Sequence, residues 1–322
     1  MQIRNGKIAQ RRAWINIGRS AARIACAALA FGGFAAGRAL AIEGPSPFQP
    51  GSSTGAPAGA LPPPGTYVIV DTEHADGTVY DNNGNKVPVY GWKDAITPII
   101  VWVPKAKVLG AAYAVYIVQP IIAEGVDATG VGGGPATAHG YANTTLSPLN
   151  LSWALSKGLY GKIGFSVQVP DGTYLYAGTG TKTHELPQSP GNHTLTYEPD
   201  FAISWLPAGW DLTAHSVFDF QTKDTVTNYQ SGSVFYTDFT VTKTMRKWTV
   251  GAVGNWSQQF TNDVQNGMVV NGNGNKFQHV LLGPMIGSDL GGVGVKFTGL
   301  FGMRARNDLN VSFFHLQFGS RL

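Results

Sequence analysis

Seven side chains stand out for the chemistry they could do together: Glu198, Asp200, Asp211, His215, Asp219, Asp238 and Lys296. Each falls at a polar step of a stretch in which apolar and polar residues alternate. If the alternation is structural, all seven share one surface. An excess of carboxylates on that surface favours cations or neutral polar solutes over anions. The competing reading is a salt-bridged, hydrogen-bonded filling with no solute role. Catalytic chemistry has less support. None of the seven His residues stands in an H-x-x-x-H spacing, so no metal site is expected. No G-x-S-x-G elbow occurs. Ser216 falls among apolar residues while His215 falls on the opposite face, so no Ser/His/Asn hydrolase arrangement forms. The run Gly130 to Gly134 opens no helix, which argues against phosphate binding. No catalytic residue and no cofactor is expected.

The elements that must carry these residues are strands. Leu195, Tyr197, Phe201, Ile203 and Trp205 alternate with Thr196, Glu198, Asp200, Ala202 and Ser204. Trp210, Leu212, Ala214, Phe218 and Phe220 alternate with Asp211, Thr213, His215 and Asp219. Trp248, Val250, Ala252, Trp256 and Phe260 alternate with Thr249, Gly251, Val253, Asn255, Ser257 and Gln259. Period-two patterns this long fit transmembrane β-strands, apolar toward lipid and polar toward a lumen. Soluble strands average about five or six residues.

The pattern predicts twelve strands, near 66–73, 96–104, 108–119, 144–156, 159–169, 193–206, 210–221, 232–244, 247–260, 276–288, 291–302 and 308–319. Tight turns are expected near Pro104–Lys107, Lys157–Gly158, Pro207–Gly209, Arg246 and Leu290. Longer loops are expected at 74–95, 120–143, 170–192, 222–231 and 261–275. Short turns on one side and long loops on the other are the habit of outer-membrane barrels, and an even strand number puts both termini on the short-turn side. Trp205 and Trp210 flank one short turn, as an interfacial aromatic girdle requires. A change of phase near Phe313 and Phe314 suggests a bulge in the last strand.

Composition agrees. The 322-residue chain is 13% charged, against about 25% in an average soluble domain. Its 42 Gly and 11% aromatics suit a β-protein facing an apolar surround. Seven of the 23 basic residues precede position 42, and no acidic residue does; the remainder carries 16 basic against 19 acidic residues. That mildly acidic balance gives no nucleic-acid footprint. Arg4 to Arg23, the apolar run Ile24 to Ala36 and Ala39-Leu40-Ala41 read as a signal peptide, residues 1–41, cleaved after Ala41. Cys26, the sole cysteine, leaves with it. Residues 42–64, rich in Pro, Gly, Ser and Ala, read as a flexible lead-in, with entry into a lumen as the other reading. The barrel is expected over 65–322.

Several short stretches carry a family resemblance: Gly65-Thr-Tyr67, Asn143 to Pro148, Pro170-Asp-Gly172-Thr-Tyr174, Thr225 to Gly232, Phe235-Tyr-Thr-Asp238, Gln258 to Asp263 and Gly283-Pro284. In order and spacing they resemble the phenol meta-pathway degradation family of transporter-like outer-membrane β-barrel proteins. The final Phe318-Gly-Ser-Arg-Leu322 departs from the terminal aromatic common in such barrels. The resemblance implies an outer-membrane channel for passive uptake of small hydrophobic or aromatic molecules, with outer-membrane lipid and such solutes as its partners. The alternatives are a surface receptor or adhesin using the loops 74–95, 120–143 and 170–192, or an outer-membrane hydrolase.

Overall fold

In the computed structural model, which describes residues 49–322, the chain forms one closed antiparallel barrel of twelve strands. In chain order these are β1 Gly65–Tyr80, β2 Lys86–Val103, β3 in two segments Ala111–Val118 and Ile121–Asp127, and β4 in two segments Pro135–Tyr141 and Thr144–Ser156. There follow β5 Leu159–Val169, β6 Thr196–Trp205, β7 Trp210–Gln221, β8 Val234–Met245, β9 Trp248–Gln259, β10 Gln278–Asp289, β11 Val293–Arg306 and β12 Asp308–Arg321. Each strand pairs with its chain neighbours, and β12 closes the barrel on β1 from Tyr67↔Arg321 to Tyr80↔Asp308. Closure leaves no sheet edge within the membrane, so backbone N–H and C=O groups are satisfied without water. The signal segment 1–41 lies outside the described residues.

The alternation sets facing directly. Along β6, Thr196, Glu198, Asp200, Ala202 and Ser204 are buried, whereas Tyr197, Phe201, Ile203 and Trp205 are 40–50% exposed toward the lipid side. Trp256 and Phe260 also face outward. The short turns fall at residues 104–110, 157–158, 206–209, 246–247 and 290–292, all on the side of the C-terminus. Several need left-handed backbone, at Gly158 (φ 75°), Ala208 (φ 48°) and Arg246 (φ 56°).

Three expectations need correction. The segments 74–95 and 120–143 are mostly strand: β1 and β2 meet at a five-residue turn, 81–85, and β3 and β4 run on as a hairpin above breaks at Gln119-Pro120 and Ala142-Asn143. Beyond the lipid belt both faces of a strand are wet, so the period-two signal fades while the hydrogen-bond ladder continues. The last strand has no bulge at Phe313, since its pairing with β1 is unbroken. Phe313 simply faces inward, 6% exposed, with Leu316 and Phe318 outward. Finally, the part of the lead-in from residue 49 to 64 is not a free linker. It lies inside the barrel, held by wall side chains on several strands.

The inner wall has two characters. Ala75, Val253, Leu281, Met285, Leu300 and Phe313, from β1 and β9–β12, form one buried apolar cluster. The inward positions of β4–β8 are largely polar.

Candidate functional site

The polar half of the wall is a chain of hydrogen bonds running from strand to strand. Lys162 Nζ lies 3.2 Å from Asn150 Oδ1 and 2.6 Å from Asp200 Oδ1. His215 Nε2 is 3.0 Å from the same Asp200 oxygen. His215 pairs directly across the ladder with Asp238, and Asp238 with Asn255. Asn255 Nδ2 donates to Asp238 Oδ1 at 2.7 Å, and His279 Nε2 sits 3.1 Å from Asn255 Oδ1. Asp308 Oδ2, 2.6 Å from His279 Nδ1, ends the chain. Buried charges persist only when paired in this way.

All seven side chains singled out in the sequence lie on the inward side. Asp200, His215 and Asp238 are brought together in the chain of bonds. Glu198 sits two residues from Asp200 and accepts from Gln168 Nε2 at 2.8 Å. Asp219 is fully buried higher on β7. Asp211 stands apart near the short-turn end, accepting from Thr213 Oγ1. Lys296 reaches inward from β11 to the backbone of the lead-in.

The lead-in crosses the space between the two halves. The Asp238 carboxylate accepts from Gly51 N at 2.9 Å, Ser53 N at 3.0 Å and Ser53 Oγ at 2.8 Å. Ser53 Oγ also lies 2.9 Å from His215 Nδ1. Gly55 N donates to Thr240 Oγ1 at 2.8 Å, and Lys296 Nζ to Thr54 O. Nearer the short-turn rim, Gly59 N donates to Ser204 Oγ at 2.9 Å and Gly59 O accepts from Ser152 Oγ at 2.7 Å. The opposite side of this turn rests on the apolar cluster. A Cβ at Gly51 would stand 2.3 Å from Leu300 Cδ1, and the residue has φ +85°, so with Leu300 in place glycine is the residue that fits. Residues 49–64 therefore plug the lumen from the short-turn side.

Sequence reasoning missed Lys93, Asp71, Glu73 and His315. His315 Nδ1 is 2.9 Å from Asp71 Oδ2, Lys93 Nζ is 2.8 Å from Glu73 Oε1, and Gln49 bonds Lys93. Asp71 and Glu73, two apart, were readable as one strand face, but their partners lie on strands distant in sequence. Asp71, Glu73 and His315 offer ligand atoms within 4.8 Å of one another, the grouping among the described residues close enough to hold a metal ion. Lys93 already supplies the counter-charge there.

On the long-loop side the connections are knit together. Tyr174 OH donates to Asp224 Oδ2 at 2.6 Å, and Tyr229 OH to Asp263 Oδ2 at 2.6 Å. Gly232 N donates to Asp263 Oδ1 at 2.7 Å. Tyr229–Gln230, Val264–Gln265 and Met268–Val269 add a small sheet of their own. Burial pushes the Asp263 carboxyl up to about 6, against the pull of these donors.

Known structures of this shape are barrels. An outer membrane channel from Pseudomonas putida F1 is 10% identical, with a TM-score of 0.69 over 85% of this chain and 100% of that one. The beta domain of the Bordetella autotransporter BrkA is 11% identical, with a TM-score of 0.48 over 80% of this chain and 99% of that one. The CymD monoaromatic hydrocarbon channel is 9% identical, with a TM-score of 0.44 over 83% and 91%. The likeness to the Pseudomonas channel shows a shared fold. The chain matches no curated protein sequence. The chain belongs to the family described as "Putative MetA-pathway of phenol degradation", whose model matches residues 77–307.

Proposed function

We propose that this protein is an outer-membrane channel for the passive uptake of small hydrophobic or aromatic molecules. The observation that carries the reading is the two-sided lumen: an apolar strip of Leu281, Met285, Leu300 and Phe313 faces a polar wall, and the plug lies between them. With the plug seated the strip is covered; once the plug withdraws, an aromatic hydrocarbon that covers roughly 100–150 Å² of it gains on the order of 3 kcal/mol. The polar wall holds the plug rather than the solute. In this reading Glu198, Asp200, Asp211, His215, Asp219, Asp238 and Lys296 set the field along the path and the plug's position, and no energy source is coupled. Family membership supports the solute class. The signal segment 1–41, cleaved after Ala41, is part of the proposal, since it delivers the chain for export.

Growth of a deletion strain on an aromatic carbon source tests the reading. A channel for uptake predicts a defect at low substrate concentration that vanishes at high concentration. Unchanged growth at every concentration would overturn it and favour a receptor or adhesin. No observation on the inner or outer wall favours a hydrolase: Ser216 bonds Thr237 on the outward face, while His215 points inward to Asp200.

A further inference from the structure

The ladder between β10 and β11 contains one irregularity. Leu281 pairs with Gly302 and Val280 with Arg304, so Met303 is an extra residue, a β-bulge. The extra residue reverses the facing of everything beyond it. Leu300 faces inward and is fully buried. Unbroken alternation would turn Arg304 and Arg306 inward as well. Instead Arg304 stands beside Val280, which pairs with the outward Trp256, and Arg306 stands beside Gln278. Ala305 and its partner His279 take the inward places, at 4% and 5% exposure. The bulge thus places two guanidinium groups on the outer surface of the barrel.

Their height matters. Arg304 lies well beyond Val293, where β11 starts at the short-turn rim. At about 3.3 Å per residue and a tilt of about 40°, it stands roughly 25–30 Å above that rim, at the upper edge of an apolar band about 25 Å tall. Just below are Phe301 and Leu282, outward and 44% and 52% exposed. Beside the arginines a groove of about 460 Å³ opens, lined by Tyr80, Asn83, Met303 and Asn310 as well as Arg304 and Arg306. Neither guanidinium makes an ion pair with a carboxylate among the described residues. Asp308 is engaged with His279. Arg306 Nε donates to Asn82 O at 2.9 Å, which uses one of its five N–H donors.

We propose that this groove binds the phosphorylated headgroup of an outer-leaflet lipid, with the acyl chains lying against Phe301 and Leu282. Two arginines match phosphate oxygens by paired N–H donors. The apolar residues directly beneath them suit a ligand that is anionic at one end and apolar at the other. The site is independent of the lumen and of the solute that passes through it.

The test uses the purified mature protein in detergent, with bis-phosphorylated lipid A, its dephosphorylated form and inorganic phosphate as separate probes. Bis-phosphorylated lipid A should raise the unfolding temperature, and the other two should not. Arg304→Gln with Arg306→Gln should weaken lipid A binding by about tenfold or more, while Arg304→Lys with Arg306→Lys keeps part of it. Heat-modifiable gel mobility reports whether each variant is folded. An equal shift with dephosphorylated lipid, a shift reproduced by inorganic phosphate alone, or unchanged binding in the folded glutamine variant would overturn the proposal. The comparison of the three probes on the unaltered protein decides even if the glutamine variant fails to fold.

Discussion

The Asp238 carboxylate accepts a hydrogen bond from the backbone N–H of Gly51 at 2.9 Å, across 187 positions of sequence. It joins the middle of a wall strand to the plug, and Asp238 takes two more bonds from Ser53. Hydrogen bonds to a charged acceptor contribute about 1.5–3 kcal/mol each. Asp238→Ala should therefore shift the plug toward release by at least about 2 kcal/mol, roughly thirtyfold in population. Single-channel recording in planar bilayers should show larger and more frequent openings than the unaltered protein.

Gly51→Val attacks the same plug from its apolar side. The added side chain must displace Leu300 and adopt a left-handed backbone that valine resists. The expected result is the same rise in conductance with every charged group intact. A variant that opens the pore only when charges change would show that electrostatics alone, and not seating of the plug, closes it.

Facing can be tested at the lipid side. Phe239 is 42% exposed and sits in the middle of β8. Phe239→Arg should destabilise the barrel by roughly 2–4 kcal/mol in denaturant titrations in lipid vesicles. Val250 also faces outward but pairs with Lys243 near a short turn, so Val250→Arg should lower stability by only about 0–1 kcal/mol. Asp219→Asn should leave assembly intact and alter ion preference.

The long-loop side should respond to pH through Asp263. Its carboxyl is raised from 3.8 to about 6 by burial. A raised acid contributes stability in full below its unfolded value, and that contribution is lost as pH rises through the folded value. The loop 260–277 should resist protease better at pH 4 than at pH 7, and Asp263→Asn should remove most of the difference. Greater protection at pH 7 in the unaltered protein would show that the bonds from Tyr229, Gly232 and Gln259 outweigh burial.

Lys162 shows how much of the site sequence could reveal. The strands, their number and the facing of Glu198 to Ser204 follow from period two, because lipid on one side and a lumen on the other impose it. The partners across the ladder do not follow. Lys162, Asp200, His215 and Asp238 meet only through the registers of four strands, and no local pattern fixes those registers. The plug was equally hidden. Its Gly, Pro and Ser content reads the same whether the segment is free or bonded along a wall. The Met303 bulge was invisible for a simpler reason: Arg304 and Arg306 sit above the lipid belt, where alternation carries no signal. Lys162→Met should leave Asp200 with one cationic neighbour fewer and destabilise the barrel by about 3–5 kcal/mol, read as a lower temperature of heat modification.

Passage through the lumen is tested by solute uptake with the plug locked and then released. Leu300→Cys removes the Cδ1 that a Cβ at Gly51 would meet and leaves the Cγ position 3.8 Å from that Cβ, so Gly51→Cys with Leu300→Cys can close a disulfide that holds the residue in its left-handed backbone against a strain of about 1–3 kcal/mol. Cys26 is the sole native cysteine and lies upstream of Ala41. Initial uptake of radiolabelled toluene at low concentration would be followed in cells making this variant, oxidised and then reduced. Uptake should fall near that of a deletion strain when the variant is oxidised and recover on reduction. Equal uptake in the two states, at the level of the unaltered protein, would contradict a path through the plugged lumen.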